Sequence, residues 1–140
     1  MVKPTADTLT PIAALTWTDL PGFPGLEVLT LSSSFDETGK TGRRTRLVRF
    51  APGAQTQHAL THEYFEEAML ICGDLQGIGA ASDFGTFAEH AYVIRPPRTA
   101  HGPMRSQGGC ILLEVHYYAD PDCGSHRAQA PTRTDRENSL

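Results

Sequence analysis

The sequence predicts an all-β protein of the antiparallel sandwich or barrel type, and three observations predict it. Short β-forming segments recur at intervals of roughly 8–12 residues. Thirteen glycines and ten prolines in 140 residues place turn signals between them. The most regular segments alternate apolar and polar residues with a period of two.

The elements follow in order. Residues 1–26 hold five threonines and four prolines (Pro4, Pro11, Pro21, Pro24). Proline removes a ladder donor and fixes φ, so this stretch reads as an arm with short edge pairings, anchored by Trp17 and Phe23. Residues 26–35 (LEVLTLSSSF) read as a strand, and DETGKTG is the turn after it. Residues 43–50 (RRTRLVRF) return as its partner. One face carries Arg44, Arg46, Val48 and Phe50, the other Arg43, Thr45, Leu47 and Arg49, so neither is cleanly apolar and the pattern does not choose the inward face. APGA is a tight turn. Residues 75–81 form a glycine-spaced strand or loop, residues 86–94 a strand ended by Pro96-Pro97, and residues 110–118 (CILLEVHYY) the last strand. From Ala119 the chain turns polar, with Pro121 and Pro131, and reads as a poorly ordered tail. The expected organisation is one domain: arm 1–26, barrel core 27–118, tail 119–140.

One segment resists. Thr61 followed by HEYFEEAML has an N-cap and good helix formers, so local propensity alone predicts helix up to Gly73.

Composition excludes several function classes. A formal charge of −4 and a pI near 5.8 give no basic field for nucleic acid. No apolar run approaches the roughly 20 residues of a membrane span, and the N-terminus lacks a secretory core. Three cysteines without C-x-x-C spacing (Cys72, Cys110, Cys123) imply reduced thiols and a cytoplasmic setting. Cys72 and Cys110, in apolar strands, read as small hydrophobes.

The chemistry-bearing stretch is PGAQTQHALTHEYFEEAMLICG, residues 52–73, with His58, His62, Glu63, Glu66 and Glu67. RPPRTAHGP, residues 95–103, adds His101. Imidazole and carboxylate are ligands that zinc or iron accepts. Ligand atoms around one ion lie roughly 3–4 Å apart, whereas residues four apart in an extended strand are separated by about 13 Å. His62 and Glu66 can therefore share an ion only across a bend at residues 63–65 or along a helix. A helix would also align His58. A cluster of His and Glu is equally what a solvated polar rim looks like.

These two stretches resemble the two motifs of the cupin superfamily, in its small RmlC-like form. Gly53, His62, Glu66 and Gly73 follow the order of the first motif, with the family's gap between Glu66 and Gly73. Pro96, Arg98 and His101 occupy the positions of Pro-x-Gly-x-x-His in the second. The resemblance spans about residues 43–118. It implies a cupin-type antiparallel β-barrel (a double-stranded β-helix, jelly-roll-like) with strand, bend at Tyr64 and strand in place of the helix. It also implies one divalent ion (Fe, Mn, Zn or Ni) on His62, Glu66 and His101. Two departures stand out: Leu60 replaces the first motif's leading histidine, and Arg98 replaces the second motif's glycine.

No nucleophile elbow, phosphate loop or dinucleotide fingerprint is present. The function expected is a small metal-dependent enzyme acting on an organic oxyacid, phenol or diketone, with oxygenation first and isomerase, cyclase or lyase chemistry next. The competing class is a non-catalytic ligand-binding or sensor domain. The expected partners are a small molecule and a second copy in a homodimer, with no nucleic acid and no membrane. Arg98 is the candidate partner for a substrate carboxylate, and His58, Leu60 and His116 are candidate pocket residues. Glu63 and Glu67 are expected to face solvent, as are His90 and His126.

Overall fold

The computed structural model describes residues 9 and 11–119. The tail, with Cys123 and His126, and most of residues 1–10 lie outside them. The described residues form nine strands: β1 (Thr18–Asp19), β2 (Leu26–Ser33), β3 (Arg43–Phe50), β4 (Phe65–Gly73), β5 (Leu75–Gly77), β6 (Thr86–Phe87), β7 (Tyr92–Arg95), β8 (Met104–Arg105) and β9 (Cys110–Tyr117). Short 3-10 turns at Ile12–Ala14 and Gly79–Phe84 are the helical elements among the described residues. Six strands pair in the order β1-β2-β3-β9-β4-β7, and a smaller sheet pairs as β6-β5-β8. Every strand pair is antiparallel. The fold is the predicted cupin-type β-barrel.

β4 settles the conflict over residues 62–72. Glu63 and Tyr64 bend, and Phe65 onward is extended, paired with β9 on one side and β7 on the other. Two ladders of backbone hydrogen bonds and an alternating burial pattern override a helix propensity worth only tenths of a kcal/mol per residue. Glu66, Ala68 and Leu70 point inward. The register then shifts between Leu70 and Cys72, where Ile71 is the extra residue of a bulge. A one-residue slip exchanges faces, so Cys72 turns outward and is exposed. Of the two cysteines read as small hydrophobes, Cys72 therefore packs into no core, whereas Cys110 is 4% exposed and belongs to it. Gly73 ends β4 at φ +89°, where an added Cβ would lie 2.1 Å from the Gly109 carbonyl oxygen. The motif glycine is therefore a steric requirement of the β4–β9 pairing.

β3 has the predicted limits, and the structure picks its inner face: Arg44, Arg46, Val48 and Phe50 line the interior cavity. The expected strand 86–94 is broken into β6 and β7 by a turn in which His90 takes φ +68°. Residues 75–81 divide into β5 and a 3-10 turn.

The core consists of Leu26, Val48, Phe50, Leu70, Leu75, Met104 and Cys110, with Phe23 packed against it. From Trp17 onward the arm lies against the barrel. β1 pairs with β2, and Arg49 places its guanidinium carbon 4.3 Å from the centre of the Trp17 ring.

Candidate metal centre

The register carries one cross-strand row to the polar end of the barrel: Ser33, Arg44, His116, Glu66 and Arg95, on β2, β3, β9, β4 and β7. Across from Glu66, Leu60 and His101 form an isolated antiparallel bridge with both backbone hydrogen bonds, Leu60 N–H to His101 O at 2.8 Å and the reverse at 3.0 Å. The Arg98 N–H donates to the His62 carbonyl at 2.7 Å. These bonds tie the two sequence motifs together and bring His62, Glu66 and His101 to one place.

The ligand atoms of these three residues lie within 4.8 Å of one another. His62 Nε2 is 3.4 Å from Glu66 Oε2, and His101 Nε2 is 3.6 Å from Glu66 Oε1. Both separations match those of ligands sharing an ion at about 2 Å. The tautomers are set by the backbone. His62 Nδ1–H donates to the Tyr64 carbonyl at 3.0 Å, and His101 Nδ1–H to the Thr99 carbonyl at 3.3 Å. A carbonyl can only accept, so in the neutral rings both lone pairs sit on Nε2 and face the carboxylate. Acceptors thus confront an acceptor. His62 Nε2 is the one buried side-chain polar atom without a hydrogen-bond partner among the described residues. A cation between these atoms would satisfy all three, so the residues present fit a divalent ion. Burial pushes the His101 pKa down, which keeps its lone pair available.

His116 plays the opposite part. It is fully buried, and its Nδ1 accepts from Arg44 Nη2 at 2.7 Å and Nε at 3.3 Å. Arginine has no acceptor, so the His116 proton is on Nε2, 3.0 Å from Glu66 Oε2. Arg95 Nη1 donates to Glu66 Oε1 at 2.5 Å. Burial pushes the Glu66 carboxyl pKa up, but the His116 hydrogen bond and the charge of Arg95 outweigh it and hold the group well below the usual carboxylate range. A second cluster, Glu66, Glu114 and His116, has ligand atoms as close together. It is not an open ligand set, because Glu114 is paired with Arg46 at 2.8 Å and His116 directs an N–H at Glu66.

Above the centre is a cavity of about 770 Å³. Leu60, Thr61, His62, Tyr64, Glu66, Arg95 and His101 line its polar end, and Leu26, Val48, Phe50, Leu70, Phe87 and Leu112 its apolar wall. Tyr64 stacks on His62 with ring centres 4.1 Å apart, and burial raises its pKa.

The remaining predicted residues separate. Leu60 is half-buried and lines the cavity. His116 is not on the cavity surface but orients Glu66 from behind. His58 is exposed and outside the cavity lining, as is Arg98. Glu63 and His90 are exposed as expected, while Glu67 is half-buried and accepts from the Tyr92 hydroxyl. The arginines that reach the site are Arg95, three residues before Arg98, and Arg44 and Arg46 on β3. Strand alternation places Arg44 and Arg46 on one face, but only the register shows that this face turns inward.

Arg98 has φ +64°, which explains the glycine usual at this motif position. The left-handed conformation costs a residue with a Cβ about 1–2 kcal/mol, and glycine's greater chain entropy returns about half of that. Arg98→Gly is expected to raise stability by roughly 0.5–1 kcal/mol in urea denaturation and to leave metal affinity unchanged.

Comparison with known proteins agrees with this architecture. An RmlC-like cupin from Shewanella frigidimarina NCIMB 400 superposes with a TM-score of 0.60 at 17% identity, over 84% of this chain and 96% of that one. An acetylacetone dioxygenase from Acinetobacter johnsonii gives 0.62 at 16%, over 85% and 82%. The polyketide cyclase RemF from Streptomyces resistomycificus gives 0.60 at 15%, over 83% and 82%. At these identities the likeness is one of fold. No curated protein gives a significant sequence match. The profile of the ChrR cupin-like domain matches residues 5–119, more than half of the chain, and the protein accordingly belongs to the ChrR cupin-like family within the cupin superfamily.

Proposed function

We propose that this protein is a metal-dependent cupin in which His62, Glu66 and His101 hold one divalent ion (Fe, Mn, Zn or Ni) at the end of a cavity that admits a small organic molecule. The observation that carries the reading is the convergence of two imidazole lone pairs on a buried carboxylate, with His62 Nε2 left unpartnered. When bound, such an ion polarises an oxygen of the ligand or, as Fe(II), binds dioxygen. The chain does the rest. His116 and Arg95 fix the carboxylate, Tyr64 stacks against His62, and the apolar wall excludes water and limits the size of what enters. The reaction class is small-molecule chemistry on an oxyacid, phenol or diketone, with oxygenation ahead of isomerisation, cyclisation and elimination. The dioxygenase and the cyclase among the structural relatives support that range without choosing within it.

We take the working form to be a cytoplasmic homodimer of single-domain chains. Ile94 at 50% exposed and Tyr92 at 57% on the outer face of the large sheet support self-association. Among the described residues, no helix is long and apolar enough to cross a membrane.

The test is the metal content of protein purified anaerobically from iron-replete medium. About one equivalent of ion per chain is expected. A content near zero that added Fe(II), Mn(II), Zn(II) and Ni(II) all fail to raise contradicts the proposal. One equivalent without turnover of any oxyacid, phenol or diketone would leave a metal-bound binding domain instead of an enzyme.

A further inference from the structure

Arg44 stands apart from the other half-buried arginines of the barrel. Arg46 is paired with Glu114, Arg49 with Glu27 and Arg95 with Glu66. Arg44 lines the cavity and is half-buried, yet among the described residues it has no carboxylate within 4 Å. Its polar partner is the neutral His116 Nδ1, and its flat face lies 4.5 Å from the centre of the Phe35 ring. Buried charges are normally paired, because desolvation costs several kcal/mol per ion. Burial and the neighbouring Arg46 both act against the Arg44 charge, while the carboxylates of Glu37 and Glu114 act for it only from a distance.

The hydrogen-bond count gives the geometry. Guanidinium has five N–H groups, and Arg44 directs one from Nε and one from Nη2 at His116. Three remain, among them the Nη1–Nη2 edge that matches the two oxygens of a carboxylate. His116 holds the fork in place, so little side-chain entropy is lost when an anion docks. Arg44 and Glu66 are two strands apart in the same cross-strand row, which sets their backbones about 10 Å from each other. Beyond this row and the Arg46–Glu114 pair next to it, one side of the cavity is an apolar wall of Leu26, Val48, Phe50 and Leu112.

We propose that the ligand of this cavity is an amphiphilic carboxylic acid whose carboxylate is received by Arg44, with its apolar body against the Leu26–Phe50–Leu112 wall. The acid group then lies a few bonds from the part of the molecule that faces His62, Glu66 and His101. This inference rests on the cavity being the small-molecule site, but not on the ion.

The experiment compares 2-naphthoate with its neutral analogue 2-naphthamide by isothermal titration calorimetry, on metal-free and on Zn(II)-loaded full-length protein. Hydrogen bonds to a charged group are worth about 1.5–3 kcal/mol, so the acid is expected to bind roughly 10- to 100-fold more tightly than the amide. The preference is expected in both forms of the protein. Arg44→Gln should abolish the preference, and Arg44→Lys should retain part of it. Equal binding of acid and amide overturns the proposal, as does failure of the acid to bind at millimolar concentration. A preference that appears only with Zn(II) would place the carboxylate on the ion and overturn it too. Should Arg44→Gln fail to fold, the wild-type ratio in the metal-free protein and the Arg44→Lys result decide the matter. A preserved preference in a protein that binds no metal would defeat the metal centre and leave Arg44 standing.

Discussion

Glu66→Ala is expected to destabilise the metal-free protein by about 3 kcal/mol, because removing one partner of a buried ion pair leaves the other uncompensated. The Arg95 side chain is only 17% exposed, and its carboxylate partner is Glu66 Oε1 at 2.5 Å. His116, fully buried, loses the acceptor for its Nε2–H in the same substitution. The same variant should also lose metal binding, since it deletes the carboxylate ligand. Urea denaturation in chelator separates the two effects. A Glu66→Ala protein as stable as the parent would mean that the carboxylate is solvated and that the His116–Glu66–Arg95 row does not hold it.

Leu60→His is expected to raise metal affinity at least about tenfold, or ~1.4 kcal/mol. Directly opposed residues in an antiparallel pair have Cβ atoms about 4.5–5.5 Å apart on the same face. Leu60 is opposed to His101 in that way, and its side chain lines the cavity. An imidazole at position 60 would stand beside that of His101, where most cupins have a fourth ligand. Competition with a chromophoric zinc chelator would read the change. Unaltered affinity with lowered stability would show that position 60 turns into the apolar wall, where an unpartnered imidazole is costly.

Much of the scaffold was legible in the sequence because it depends on local signals. Alternation and flanking turns gave β3 its observed limits and placed β9 to within one residue. The motif spacing singled out His62, Glu66 and His101, whose ligand atoms the structure brings within 4.8 Å of one another; the geometric argument left a bend or a helix open, and the family resemblance chose the bend seen at Glu63 and Tyr64. What stayed hidden depends on pairing between distant segments. The bulge at Ile71, which turns Cys72 outward, has no local signature. The partnership of Arg44, His116, Glu66 and Arg95 exists only once four strands are in register. His116 shares its strand face with Glu114 and Cys110, which the alternation shows, but its role as orienter of Glu66 follows from what Arg44 presents across the sheet. Arg98 was a reasonable choice from the motif. Its positive φ and its exposure show why proximity in sequence to His101 did not bring it to the cavity.

The measurement that tests the metal centre most directly is a Zn(II) titration of chelator-treated protein, run in parallel on the parent, His62→Ala and His101→Ala. The apolar core at Leu26, Val48, Phe50, Leu70 and Leu75 does not include either histidine, so both variants should keep the fold by circular dichroism. The account predicts one site per chain in the parent and a loss of at least about 100-fold in affinity in each variant, as expected when one of three ligands is removed. Folded variants that bind Zn(II) as tightly as the parent would contradict it.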